Sequence, residues 1–444
     1  MGRCAVSTQK QKRPFALRAL AAFAGTLAIL FVLLLAAYAL PGERVRQHVY
    51  DSARTIQNEG LYPEYLGFKL FQMDNYTDTL MLFEAASADE LPPLQAMMTN
   101  TAYNVDNFET LADDLAWYIE KDWSTGAQRT DAPVLEPFSY ARYWHGYLIW
   151  LRPLLLLMPY TGVRIVQYIV LFALLAVVLV QLRRRCGLRA AVWFAVSQLA
   201  VSVWFVPHQV QYFTCFMIAY AGCAWVLAKP RRSDVLCLGL LVLGTATAFC
   251  DLLVTPIITL GLPLTCWLLE PQQRLRGGVP QCALAVGGSL CWGTGYALCW
   301  AGKWALAGAV TNNNVLADAL HQAEVRTTAD TWHGMELTWR NISIFLYDTL
   351  NSHHLFWPAL AVLAVLIALF ILSIRSKTAL VRALPLALTT CMTPAWFVLL
   401  RTHSIQHGWF TWRALGLTVF AGLAFLYYAC DLRAARRRLQ KGSI

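Results

Sequence analysis

Charge is scarce in this chain, and carboxylates are nearly absent from most of it. Asp, Glu, Lys and Arg together make up 14% of the 444 residues, against about a quarter in soluble domains. Apolar residues reach 57% and mean hydropathy is +0.46, which excludes an ordinary soluble domain. Neither a glycine-rich phosphate loop nor a dinucleotide fingerprint is present, so no nucleotide site is expected. The twelve cysteines contain no CxxC pair. Most sit in apolar runs, where Cys acts as a small hydrophobe, so neither a disulfide framework nor a thiolate metal site is expected. No internal repeat is visible. The formal charge of +10 would suggest nucleic acid in a soluble protein. Here the basic residues form short clusters beside hydrophobic runs, which is how topology signals look, and no nucleic-acid partner is expected.

What remains is long apolar runs and one acidic stretch. Lys10, Lys12, Arg13 and Arg18 precede the run 19–40. That run is long enough to cross a bilayer and longer than a signal-peptide core, and it reads as an uncleaved first helix. Further runs at 163–182, 189–206, 212–228, 235–250, 254–269, 281–303, 355–374, 384–400 and 412–430 complete ten expected crossings. Arg183–Arg185, Lys229–Arg232, Arg274 with Arg276, Arg375 with Lys377, and Arg433 with Arg436–Arg438 then all fall on one side. The positive-inside rule makes that side cytoplasmic, with both termini on it and the protein in the cell membrane. The expected class is an all-α polytopic membrane protein. Its parts are a tail and first helix (1–40), an extracytoplasmic loop (41–162), six crossings (163–303), a second external loop (304–354), and three crossings with a basic tail (355–444).

One segment resists the alternation. Residues 143–160 are apolar, but a crossing there would put the Arg183 cluster outside. Tyr140, Tyr143, Trp144, Tyr147 and Trp150 recur at helical spacing, with Arg142, His145 and Arg152 between them. That spacing predicts a helix lying in the outer interface; a true crossing is the alternative.

Between Pro41 and Arg142 lie 17 of the 26 carboxylates and seven Lys or Arg. Acidic residues gathered on one aqueous face of a membrane protein point to a functional site. Asp74 and Asp78, four residues apart, would share a helix face, with Leu70-Phe71 before them and Leu80-Met81-Leu82-Phe83 after. Such a pair suits a base with an orienting or metal-binding carboxylate; a solvated loop face is the plainer reading of any such pair. Under the ten-crossing topology Arg152, His208, Asp251, Lys303, Glu324 and the segment 401–413 reach the same outer side. His403 and His407 have the spacing of two metal ligands on a helix, although no HExxH glutamate accompanies them and histidines paired with backbone are the commoner outcome. A divalent metal is therefore an open expectation. Arg401 and Arg413 run against the charge rule, which favours an anion ligand, phosphate above all; snorkelling at helix ends is the plainer reading. Asp251 fits a cap or a turn.

A first helix, a long external loop with an early acidic motif, many crossings and a second external loop resemble the GT-C superfamily of integral membrane glycosyltransferases. More closely, Asp74-Asn75-Tyr76-Thr77-Asp78, Tyr143-Trp144-His145-Gly146-Tyr147 with Leu151-Arg152-Pro153-Leu154, Asp251-Leu252-Leu253-Val254-Thr255-Pro256, and His403-Ser404 with His407 and Thr411-Trp412-Arg413 resemble a group of bacterial membrane proteins of that build. The resemblance implies hexosyl or pentosyl transfer from a polyprenyl-phosphate donor to an extracytoplasmic glycan or lipid-linked acceptor. It also implies a carboxylate of the first external loop as base or metal ligand, Asp74 by position with Asp78 second. Superfamily members often carry adjacent acidic residues, whereas these stand four apart. Attack by a hydroxyl needs a general base, and the departing phosphate needs positive charge, for which Arg152, His403, His407 and Arg413 are the candidates. His145, His208, Asp251 and Arg401 are further site candidates. The rival classes are a transporter or flippase of lipid-linked saccharides, which would show repeats and mid-membrane charge, and a polysaccharide polymerase or ligase.

Overall fold

The computed structural model describes residues 14–67, 71–88, 90–103, 137–276, 278–328, 331–332, 335–336, 338, 340–341, 356–431 and 433. The centre of the acidic loop and much of 329–355 lie outside the described residues. The helices are α1 (Phe15–Tyr38), α2 (Glu43–Glu59), α3 (Asn75–Ser87), α4 (Pro93–Thr99), α5 (Leu148–Leu155), α6 (Tyr160–Cys186), α7 (Leu188–Ala200), α8 (Val210–Ala228), α9 (Ser233–Cys250), α10 (Ile257–Leu269), α11 (Gly278–Thr311), α12 (Val315–Thr328), α13 (Phe356–Ser373), α14 (Lys377–Leu399), α15 (Arg401–Gln406) and α16 (Leu415–Ala429). Among the described residues strand is confined to two small antiparallel pairs, Thr101–Tyr103 with Pro137–Ser139 and Thr331–Trp332 with Met335–Glu336.

A helix occupies each of the ten apolar runs. Among the described residues seven segments, α1, α6, α8, α9, α11, α14 and Gly408–Ala429, are long and apolar enough to cross a membrane. Among the others, α7 and α10 have 13 residues each, which span only about 20 Å against a hydrocarbon core of about 30 Å. The remaining depth must be filled by irregular backbone, tolerated only where protein encloses it. That condition holds for α10: all 13 of its residues are buried, as are Asp251 and Leu253–Pro256 just before it. Helix α1 sits at the opposite extreme, with only Leu34, Ala37 and Tyr38 buried. Its last turn anchors the fold and its body is left for lipid.

The basic clusters meet at one end of the bundle. Arg18 pairs with Asp234 at 2.8 Å, joining the starts of α1 and α9. Arg185 pairs with Glu270 at 2.8 Å, joining the ends of α6 and α10. Arg274 donates to the Tyr428 hydroxyl at 2.5 Å, Arg189 donates to Tyr427, and Arg375 donates to the Cys430 carbonyl at 2.5 Å. The ends of α13 and α16 and the start of α7 therefore share that face. The opposite ends carry α2 to α5, α12 and α15.

The structure departs from two sequence expectations here. Residues 140–147 form turns rather than an interfacial helix, and the helix that follows spans only Leu148–Leu155, too short to cross. Tyr143, Trp144 and Tyr147 are buried instead of lying at headgroup depth. Trp144 stacks on Phe249 with ring centres 4.7 Å apart, and its indole donates to the Cys299 carbonyl. Burial of large apolar area, available because α9 and α11 lie alongside, outweighs the interfacial preference of these rings. Helix α11 also continues to Thr311, past the expected boundary at residue 303.

Candidate functional site

Asp74 is the N-cap of α3. Its Oδ1 accepts from the Thr77 amide at 3.0 Å and its Oδ2 from the Thr77 hydroxyl at 2.8 Å. A capping aspartate satisfies amides that the first helical turn leaves open. Gln209 and Gln211, at the start of α8, grip the Asp74 backbone through its amide and carbonyl. The side chain is buried, and that burial raises its pKa against the lowering influence of Gln211 and Thr77. A carboxylate offers about four acceptor positions, so Asp74 retains capacity for a further donor.

Asp78 faces a different helix. It accepts from the Tyr160 hydroxyl and from the amides of Val210 at 3.1 Å and Gln211 at 3.4 Å, and so closes the N-terminus of α8. Burial pushes it up to about 8, against the pull of Arg164 and of those amides. The two aspartates do not present one shared face: Asp78 is spent holding α3 to α6 and α8, while Asp74 remains the candidate for chemistry. Neither lies on a solvated loop.

Segment 401–413 forms the facing wall. It is broken into α15, a single turn at Gly408–Thr411 and a 3-10 turn at Trp412–Ala414. Arg413 is fully buried; one Nη donates to the Trp409 carbonyl at 3.1 Å, and the guanidinium stands 4.6 Å from the centre of the Tyr212 ring. Its guanidinium also meets the Tyr212 hydroxyl, while Trp409 Nε1, His403 Nδ1 and His407 Nδ1 have no hydrogen-bond partner among the described residues. Buried polar groups are rarely left so. Tyr212 lies within electrostatic reach of Asp74 and Asp78 as well as of Arg413. Tyr62, which also feels Asp74, meets Trp409 edge-on at 6.3 Å.

His403 is paired with backbone, the plainer of the two sequence readings. His403 Nε2 contacts the Leu253 carbonyl at 2.9 Å. Burial, with His407 and Arg326 nearby, lowers His403 to about 3, and burial with Arg326 lowers His407 to about 4. A neutral imidazole that donates Nε2–H to a carbonyl presents a bare lone pair at Nδ1. That lone pair accepts from a hydroxyl and repels a phosphate oxygen. The two rings are 4.7 Å apart, yet no group of three or more His, Cys, Asp or Glu suited to a metal occurs among the described residues. Asp251 fixes the backbone that meets His403. Both of its oxygens accept from the Val254 amide, at 3.2 and 3.1 Å, across a turn in which Leu253 has a φ of 70°. Burial raises Asp251 to about 6.

Of the other candidates, Arg152 and His145 lie in separate networks, whereas His208 is joined to Asp78 through Tyr160 and Arg164. Arg152 is fully buried and donates to the Leu40 carbonyl at 2.8 Å, close to Tyr38. It secures the end of α1 and is not part of the 401–413 wall. His145 Nδ1 lies 2.5 Å from Glu84, which also accepts from Tyr147, from Asn100 at 2.9 Å and from Tyr38 at 3.4 Å. Lys303 joins this network, donating to Asn100 Oδ1 at 2.5 Å and to the Met97 carbonyl at 2.7 Å. His208 meets the Tyr65 hydroxyl at 2.9 Å and lies 3.8 Å from Glu59, whose carboxylate forms a two-pronged pair with Arg164 at 2.5 and 2.8 Å. Burial works against Glu59 ionisation, but His208 and Arg164 prevail and hold it near 2. Arg401 is half-buried at the start of α15. The external convergence read from sequence is thus one end of the bundle holding the Glu84 network and, apart from it, the Asp74–Asp78 network with His208 and Glu59 attached. Sequence reasoning passed over Glu84, Tyr212, Tyr62 and Trp409; a lone Glu84 between Phe83 and Ala85 was the available signal.

Compared with protein-family models, with curated proteins and with solved structures, the chain matches none.

Proposed function

We propose that this protein is a membrane glycosyltransferase of GT-C type, moving a hexosyl or pentosyl group from a polyprenyl-phosphate donor to an extracytoplasmic glycan or lipid-linked acceptor. One observation carries the reading: the buried Arg413 guanidinium stands 4.6 Å from the centre of the Tyr212 ring, and Tyr212 lies within electrostatic reach of the buried carboxylate Asp74. Groups so placed suit a ligand that bears both an anion and hydroxyls.

In this reading the acceptor hydroxyl donates to His403 Nδ1 or to Asp74 as it approaches. Asp74 takes the hydroxyl proton while the oxygen bonds to the anomeric carbon and the bond from that carbon to the donor phosphate breaks. Its raised pKa brings its proton affinity closer to neutrality, which favours a general base. The departing phosphate leaves with the bonding pair, and the Arg413 guanidinium offers it positive charge and N–H donors. Seven apolar helices long enough to cross a membrane supply the setting for a lipid-borne donor. The site end would face outward, because the basic clusters occupy the opposite end.

Donor dependence tests this reading. Arg413→Gln should raise the donor concentration for half-maximal rate by about tenfold or more, the scale of one lost charge-assisted contact. An unchanged dependence on donor, with transfer intact, would remove Arg413 from the phosphate site.

A further inference from the structure

A cavity of about 120 Å³ lies between α11, α12 and the C-terminal end of α14, closed from one side by Tyr143 and Leu253. Its wall is an aromatic ladder on α11. Trp292, Tyr296, Trp300 and Trp304 follow at four-residue spacing, with ring centres 4.8, 5.0 and 5.9 Å apart, and the last three line the cavity. Trp396 and Leu400 of the α14 end line it as well. Two cations, Arg142 and Arg326, border it. Arg142 pairs with the half-exposed Asp318 at 3.3 Å; among the described residues Arg326 has no ion-pair partner, and its hydrogen bonds are to Gln322 on its own helix. Polar atoms are left over here too: the Tyr296 hydroxyl, on a side chain more than nine-tenths buried, Trp300 Nε1 and Arg142 Nε have no hydrogen-bond partner.

An apolar, aromatic-walled space with a cation at its rim and unused donors inside suits an amphiphile. Hydrocarbon lies against the rings, and an anionic head takes the guanidinium and the leftover N–H and O–H groups. We infer that this cavity is a binding site for a lipid phosphate, its chain along the α11 ladder and its head at Arg326. The site adjoins the 401–413 wall, since Leu253 lines it and also holds His403. Its occupancy does not depend on the transfer reaction.

Native mass spectrometry of the full chain in detergent gives the test, with farnesyl phosphate as probe and farnesol and inorganic phosphate as separate arms. Farnesyl phosphate should bind, and both other probes should bind at least about tenfold more weakly, because each lacks one half of the recognised chemistry. Ala323→Trp, which plugs the rim from an exposed position of α12, should abolish binding. Arg326→Gln should weaken it about tenfold and bring the phosphate close to the alcohol. Asp74→Asn should bind as the parent does, which separates this site from the transfer chemistry. Equal binding of farnesol, equal binding of inorganic phosphate, or binding untouched by both Ala323→Trp and Arg326→Gln would each overturn the assignment.

Discussion

Asp74 and Asp78 carry the same side chain four residues apart, and their surroundings give them different work. Asp78 saturates the first amides of α8 and accepts from Tyr160, so removing its carboxylate strands buried donors. Asp78→Ala should cost about 1–3 kcal/mol from the unpaired groups alone, read as a lower thermal midpoint in detergent. The pH dependence has a definite sign. Asp78 sits near 8 in the folded chain against an ordinary 3.8, so the folded state holds a proton that the unfolded chain has lost. Its contribution is fully present below about pH 4 and disappears as pH rises through about 8. The thermal midpoint of the parent should therefore fall relative to that of Asp78→Asn between pH 5 and pH 9, as neutral Asn has nothing to lose; a constant difference would contradict the raised value. The pair itself was legible as sequence, but which partner caps and which remains available was not. That depends on Gln209 to Gln211, more than 130 positions away, arriving at α3.

The packing of α9 against α11 shows how little space the central helices leave. A Cβ on Gly244 would stand 2.1 Å from the Trp292 carbonyl oxygen, and one on Gly295 2.2 Å from that of Leu241. Small residues let membrane helices approach closely where apolar burial gives little drive, and here backbone meets backbone. Gly244→Ala should destabilise by about 1–3 kcal/mol, the usual range for overpacking. Gly293→Ala on the same helix as Gly295 meets nothing within 4 Å and should be neutral or slightly stabilising, since Ala is the better helix former. Equal melting of the two variants would refute the close-packed interface. The helices of the ten apolar runs were readable, because such runs between basic clusters leave few alternatives; α2 to α4 and α12 were not. The aromatic stretch 140–147 was misread because helical spacing marks a surface only when a helix forms. There, His145 takes a φ of 56° and the chain turns inward to Glu84.

At the scale of the molecule, one end of the bundle gathers the basic clusters and the other gathers α2 to α5, α12 and α15. In intact cells an impermeant maleimide should therefore label Asn58→Cys and spare Thr378→Cys, both exposed positions on opposite ends. Labelling of both from one side would break the alternation. The charge rule made this polarity legible from sequence. The choice between the Glu84 network and the Asp74 network was not legible, since it rests on which buried atoms have partners, and only packing decides that. The central claim is that Asp74, beside the buried donors of 401–413, is the base of a glycosyl transfer. Its most direct test is transfer of sugar from a polyprenyl-phosphate donor in membranes holding equal folded amounts of parent and Asp74→Asn. Asn keeps the size of Asp and can still accept from the Thr77 amide, yet it takes no proton at neutral pH. Transfer should fall about a hundred- to ten-thousand-fold; transfer at the parental rate would contradict the account.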